Sequence, residues 1–205
     1  SDQLNAMTTD NMAAMTSSQI QAIETEDMAA LSTDNVAALT TEQTASLTSA
    51  QVGALTSDQI QAFGTEDIAA LTTTQMQYIS TDNLAALTTD QIQALEGEDL
   101  RELNTAQIQA LETEDLQVMT AGQIAAMTYT QVASLSTEQL SSGFGSDQIK
   151  ALTTNQIESL TTDQVSNLTT DQFKFLTLAQ ENALTYAQTQ AMSTDQTAAL
   201  DGDTT

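Results

Sequence analysis

Every eighth position of this chain returns the same kind of residue, from Gln3 to Leu200. Clear copies are Leu87-Thr88-Thr89-Asp90-Gln91-Ile92-Gln93-Ala94 and Leu55-Thr56-Ser57-Asp58-Gln59-Ile60-Gln61-Ala62. A short fixed period makes each unit a structural copy that must stack on its neighbours to bury anything. Two apolar columns run through the copies. Leu4, Met12, Ile20, Met28 and Val36 begin the first, which slips by one residue after Leu140 and resumes at Ile149. Met7, Met15, Ile23, Leu31 and Leu39 begin the second, three residues on. A spacing of three sets both columns on one face of a helix. One uninterrupted helix fails, because eight residues at ~100° each overshoot two turns by roughly 80° and the stripe would wind around the axis.

The polar residues mark where each helix restarts. Thr or Ser follows the second column (Thr8, Thr16, Ser32, Thr40, Thr56, Thr88, Thr153, Thr161), and Gln or Asn comes three residues later in most copies. Ser/Thr-x-x-Gln is a capping box, in which two otherwise unpaired backbone donors are satisfied reciprocally. Leu87 and Ile92 occupy the two positions of a hydrophobic staple around it. Acids such as Asp10, Asp34, Asp58, Asp90, Glu138, Asp163 and Asp171 fall at the second helical position, where they complement the helix dipole. Cap, staple and dipole agree, so the chain is predicted to be all-α: a solenoid of very short capped helices, one per octad. Helices this short need neighbours, since isolated ones below ~12 residues are marginal. A β-solenoid is the rival fold, favoured by short repeats and abundant Thr. Against it stand the lack of period-two alternation, the scarcity of Gly and the Ala-Gln content.

The predicted organisation is an octapeptide-repeat solenoid over residues 1–140 and an irregular insertion or kink over 141–148. The solenoid then continues over 149–200, and a tail occupies 201–205. The insertion reads Ser141-Ser142-Gly143-Phe144-Gly145-Ser146, with Phe144 expected to hold the core position. Toward the C-terminus the first column turns polar at Glu181, Thr189 and Thr197, as a capping repeat requires. The chain starts in register at Ser1-Asp2-Gln3-Leu4, which reads as a segment of something longer.

Charge narrows the function. With 28 acids against three bases the net charge is −25, which opposes nucleic acid and anionic membrane surfaces as partners. No apolar run approaches the ~18 residues of a membrane span. The three bases, Arg101, Lys150 and Lys174, share the position just after the first column, a solvated face or a place to pair with a neighbouring coil. His and Cys are absent, and there is no Gly-rich phosphate loop. A uniform array offers no singular pocket to tune an acid, so no enzyme, catalytic residue or organic cofactor is expected.

One covariation stands out. Where Asp replaces the amide, at Asp27, Asp67, Asp99 and Asp115, the cap three residues earlier is Glu24, Gly64, Glu96 or Glu112. Three of the four read Glu-x-Glu-Asp. Their carboxylates, Glu24, Glu26 and Asp27, Glu96, Glu98 and Asp99, and Glu112, Glu114 and Asp115, are the candidate metal ligands, with Ca²⁺ as the ion that oxygen donors suit. The competing reading is an alternative cap, with Asp serving the dipole or Thr25 and Thr113 capping one residue later.

Octads such as Leu-Thr-Thr-Asp-Gln-Ile-Gln-Ala and Leu-Ser-Thr-Asp-Asn-Val-Ala-Ala resemble the Leu-Thr-Thr-x-Gln-type repeats of very large secreted or surface-exposed bacterial proteins, adhesin-like ones included. The resemblance implies an extracellular or cell-surface location and a stalk-like or filament-forming role. It brings no catalytic residues. The expected function is a structural repeat protein that associates with itself end to end. A Ca²⁺-binding repeat module and an ice-binding surface built on recurrent Thr are the alternatives.

Overall fold

The computed structural model describes Leu4 and residues 6–201. The expected cap at residues 1–3 and the tail from 202 onward lie outside the described residues. Twenty-four short helices, from Thr9–Ala13 to Thr194–Asp201, follow one another at the octad period, and there is no strand among the described residues. The structure is therefore the helical solenoid and not the β form. It divides into two compact units, one ending at Leu103 and the other beginning at Asn104.

Each helix is four to eight residues long, and the reason for each start and stop is local. In the Thr89–Ala94 helix, Thr88 is the N-cap, with extended backbone at φ −75° and ψ 157°. The Gln91 N–H donates to Thr88 Oγ1 at 3.3 Å, and the Thr88 N–H donates to Gln91 Oε1 at 2.9 Å. Leu95 then leaves the helix at φ −61° and ψ 133°. Two extended residues, the second-column Leu and the next cap, thus redirect the chain before the following helix. No described residue has positive φ, so the turn needs no glycine and any apolar residue can hold the column.

The first column is the floor of the core: Ile60, Ile68, Met76, Leu84 and Ile92 are all fully buried. The second column lies almost as deep, at Leu55, Phe63, Leu71 and Ile79. Within each unit a helix packs on the helix three octads further along. In the first unit Thr25–Ala29 meets Ser49–Ala54 and Thr41–Ser46 meets Thr65–Ala70; in the second Thr113–Val118 meets Thr137–Gly143. Burial of the two columns, at roughly 25 cal/mol per Å² of apolar surface, is what makes helices of one or two turns persist. Thr44 is the exception in the column: its side chain is fully buried and its Oγ1 has no hydrogen-bond partner. Thr189 and Thr197, its C-terminal counterparts, are exposed.

The one-residue slip does not form a loop. Residues 141–143, expected as part of an irregular insertion, continue the Thr137–Gly143 helix, and the Phe144 N–H donates to the Leu140 carbonyl at 3.3 Å. Phe144 fills the second column, 3 % exposed. The longer helix fits because Gly143 is buried against the Thr113–Val118 helix: a Cβ there would lie 3.0 Å from Leu116 Cβ and 3.3 Å from the Thr113 carbonyl oxygen.

Candidate functional site

The polar groups that converge in this protein do so along a single buried row, the Gln three residues after each cap. Gln59, Gln75, Gln91, Gln156, Gln172 and Gln188 are each 2–3 % exposed. The capping box uses only half of such a side chain. The other half reaches the preceding coil: Gln91 Nε2 donates to the carbonyls of Ile60 at 2.9 Å and Phe63 at 2.8 Å. Gln59 does the same to Met28 and Leu31, at 2.9 and 2.8 Å. In the second unit Gln188 reaches Ile157 and Leu160, at 2.9 and 2.7 Å. The accepting carbonyls sit at a helix C-terminus, where they lack partners within their own helix. One Gln therefore closes the N-terminus of its own helix and the C-terminus of the helix beneath. The bonds span 28 and 31 residues, so between three and four octads make one coil. Where the slip falls between donor and acceptors both bonds lengthen by one residue, to 29 and 32, as at Gln156 to Met127 and Ile124.

A second amide stitches the other way. Gln61 Nε2 donates to the Ala86 carbonyl at 2.6 Å, and Gln109 donates to that of Ser134 at 2.8 Å, in each case 25 residues ahead. Sequence reasoning placed Gln at both positions but found neither inter-coil bond. The signal was present in the recurrence of the amide beside the apolar column: a buried amide needs partners for its donors as well as its acceptor.

Shortening the amide splits its two roles. Asn83 Nδ2 donates to the Leu55 carbonyl at 2.8 Å, but its helix has no return bond to the Ser80 N–H. Asp has the complementary half: the Glu112 N–H donates to Asp115 Oδ2 at 2.9 Å and the Gly64 N–H to Asp67 Oδ2 at 3.1 Å. An ionised Asp has no hydrogen to offer the coil below.

That division locates the Glu-x-Glu-Asp residues. Glu24, Glu96 and Glu112 are the N-caps of their helices, exposed and making no side-chain cap bond. Thr25 and Thr113 are first helical residues and not caps. Glu26, Glu98 and Glu114 also point to solvent, whereas Asp99 and Asp115 are each 4 % exposed and Asp27 is half-buried. The third acid of each motif turns inward from the other two, and among the described residues no group of three carboxylates is disposed to hold a metal ion. Burial pushes the Asp99 carboxyl up to about 6, with Glu96 and Glu98 adding repulsion and Glu102 a little more, against the backbone hydrogen bond at Glu96. Asp115 is raised for the same first reason, burial, opposed by its bond from Glu112 and reinforced by the charges of Glu112 and Glu114.

Lys174 stays on its own helix, and Lys150 reaches an aromatic ring further along the chain. Lys174 Nζ pairs with Asp171 at 2.8 Å on the exposed side of its own helix, a contact of small energetic weight. Lys150 Nζ lies 5.9 Å from the centre of the Phe175 ring, a cation–π contact. The cap hydroxyls that an ice-binding face would present accept backbone N–H groups instead, as at Thr56, Thr153 and Thr161.

Two amide rows, one closing helix ends within a coil and between coils, the other reaching ahead, define a class: a helical repeat protein with a hydrogen-bonded polar seam. The chain belongs to the ALTTAQ repeat family, whose model matches residues 20–57, 60–97, 92–129, 108–142 and 142–178. No curated protein matches it. Among solved structures, the leucine-rich repeat-containing protein LegL7 from Legionella pneumophila is similar at 11 % identity. That alignment covers 98 % of this chain and 88 % of that one with a TM-score of 0.21, too low to carry an argument.

Proposed function

We propose that this chain is a non-enzymatic structural element, an extracellular or cell-surface spacer of a bacterial adhesin-like or filament-forming assembly. The observation that carries the reading is the employment of the buried amides. In octad after octad the groups that could form a polar site are committed to the protein's own backbone, as at Gln59, Gln91 and Gln188. Such a unit offers repetition and a uniform surface in place of a pocket. The resemblance to repeats of large secreted bacterial proteins supports the location. The net charge of −25 supports a hydrated exterior with no nucleic acid partner. No described helix is long and apolar enough to cross a membrane.

Self-association follows the same chemistry. Amide donors that find carbonyls in a preceding coil can find them in a second copy, and a heterologous contact of that kind propagates. Sedimentation velocity over a range of concentrations tests it: growth of larger species with concentration is expected, and one unchanging species would remove the filament reading. Protease shaving of intact bacterial cells carrying the chain tests the location. Release of its peptides is expected; full protection until the cells are lysed would overturn a surface role.

A further inference from the structure

We propose that Asp67 is a proton-operated fastener between coils: ionised, it holds its own helix N-terminus, and protonated, it lets go and bonds the Leu39 carbonyl of the preceding coil. The inference rests on a run of five consecutive octads. The second-column carbonyls of Leu31, Leu47, Leu55 and Phe63 accept from Gln59, Gln75, Asn83 and Gln91 respectively, at 2.8 Å in each case. Leu39 falls between them, its register partner is Asp67, and its carbonyl accepts no hydrogen bond from the described residues. Leu39, Thr40, Gly64 and Asp67 line one shallow cleft, so the missing bond and the residue that could make it lie together.

Asn83 supplies the geometry of the protonated form. It has the size and shape of a neutral Asp and occupies the equivalent position; its Nδ2 donates to the carbonyl below, while its Oδ1 accepts from Ser57 Oγ at 3.2 Å and not from its own cap N–H. Ionised Asp67 shows the opposite choice, accepting from the Gly64 N–H at 3.1 Å. Gly64 makes room for this: a Cβ there would stand 3.3 Å from Asp67 Oδ2. Taking up a proton gives the carboxyl an O–H donor beside its remaining acceptor capacity, and on the precedent of Asn83 the short side chain turns that donor to the carbonyl below and leaves its own cap.

The surroundings favour proton uptake. Asp67 is 9 % exposed. Burial holds its carboxyl above the usual range, against the Gly64 N–H, which favours the anion, and with help from Glu66. The helices packed on Thr65–Ala70 are Thr41–Ser46 and Thr89–Ala94, whose titratable groups are Glu42 and Asp90. Asp34 stands on the Thr33–Ala37 helix that leads to Leu39. All are acids, so no cation on these elements resists protonation.

Backbone hydrogen exchange on the whole chain reads the switch. The Gly64 N–H is compared with the Thr72 N–H, which bonds the non-titrating Gln75 Oε1. As pH falls through the titration of Asp67, followed by its carboxyl ¹³C shift, protection at Gly64 relative to Thr72 is expected to drop. Asp67→Asn should show the low ratio at every pH. A ratio that ignores pH, or a wild-type ratio in Asp67→Asn at neutral pH, overturns the proposal. Melting gives a second reading. Asp67→Asn should melt about 2–4 °C above wild type at neutral pH, because it makes the bond between coils without holding a charge in a buried position. The difference should close in acid, and equal melting at neutral pH would also overturn it.

Discussion

At the scale of the residue, the informative side chain is Gln at the third helical position. No other residue type has a donor and an acceptor on one amide with a stem long enough to serve two coils. Gln91 is a convenient probe, because its partners Thr88, Ile60 and Phe63 all lie in one unit. Gln91→Ala leaves a cap N–H and two buried carbonyls without partners and should cost about 3 kcal/mol. Gln91→Asn retains one inter-coil bond, on the precedent of Asn83, and should cost only about 1 kcal/mol. Denaturant unfolding of the two variants checks the order, and equal losses would mean that the inter-coil bonds contribute little. Asp99 gives the residue scale its pH dependence. Its folded-state carboxyl stands near 6, above the ordinary 3.8. The charged form therefore disfavours folding above about 6, and stability rises as pH falls from there toward 3.8. The gain is on the order of 2–3 kcal/mol. The wild type should fall short of Asp99→Asn at pH 7, and the gap in unfolding midpoints should close near pH 4.

At the scale of the element, a helix of one or two turns is too short to stabilise itself, and its ends outweigh its middle. Much of that was legible in the sequence. Thr88, Gln91, Leu87 and Ile92 announce cap, box and staple without reference to anything distant. The second job of Gln91 was not legible, because it depends on how many octads close a coil, and an octad reads the same whether three or four do so. The Glu-x-Glu-Asp pattern was visible, but a row of carboxylates does not reveal which of them face inward. Glu98 and Asp99 are neighbours in sequence and opposite in burial. The slip near Gly143 was visible too and suggested a kink, whereas the helix lengthens because a missing Cβ lets it lie against Leu116. Gly143→Ala should therefore destabilise, by about 1–3 kcal/mol from overpacking. Gly122 is the contrast. A Cβ there meets nothing closer than 3.9 Å, and Gly122→Ala should stabilise by about 0.5–1 kcal/mol through helix propensity. Thermal melts of the pair should move in opposite directions.

At the scale of the whole molecule, 28 acids and three bases act as a uniform load on a fold whose internal bonds are mostly neutral. Self-repulsion at net charge −25 opposes the compact state and is screened by salt. The melting temperature should rise with NaCl at neutral pH, and the rise should shrink at pH 4, where many of the acids are protonated. A salt response that is flat at neutral pH would place the acids too far apart to repel. The buried amide row also has an order in time. Among the described residues the Gln that closes a joint lies some 28 to 32 residues later in the chain than the carbonyls it meets, as at Gln43 with Met15 and Met12 and at Gln156 with Ile124. A chain made from its N-terminus thus presents acceptors first and receives donors as they emerge. Each new octad docks on a coil already finished, and growth of the folded array keeps pace with synthesis from a template never more than about one coil away.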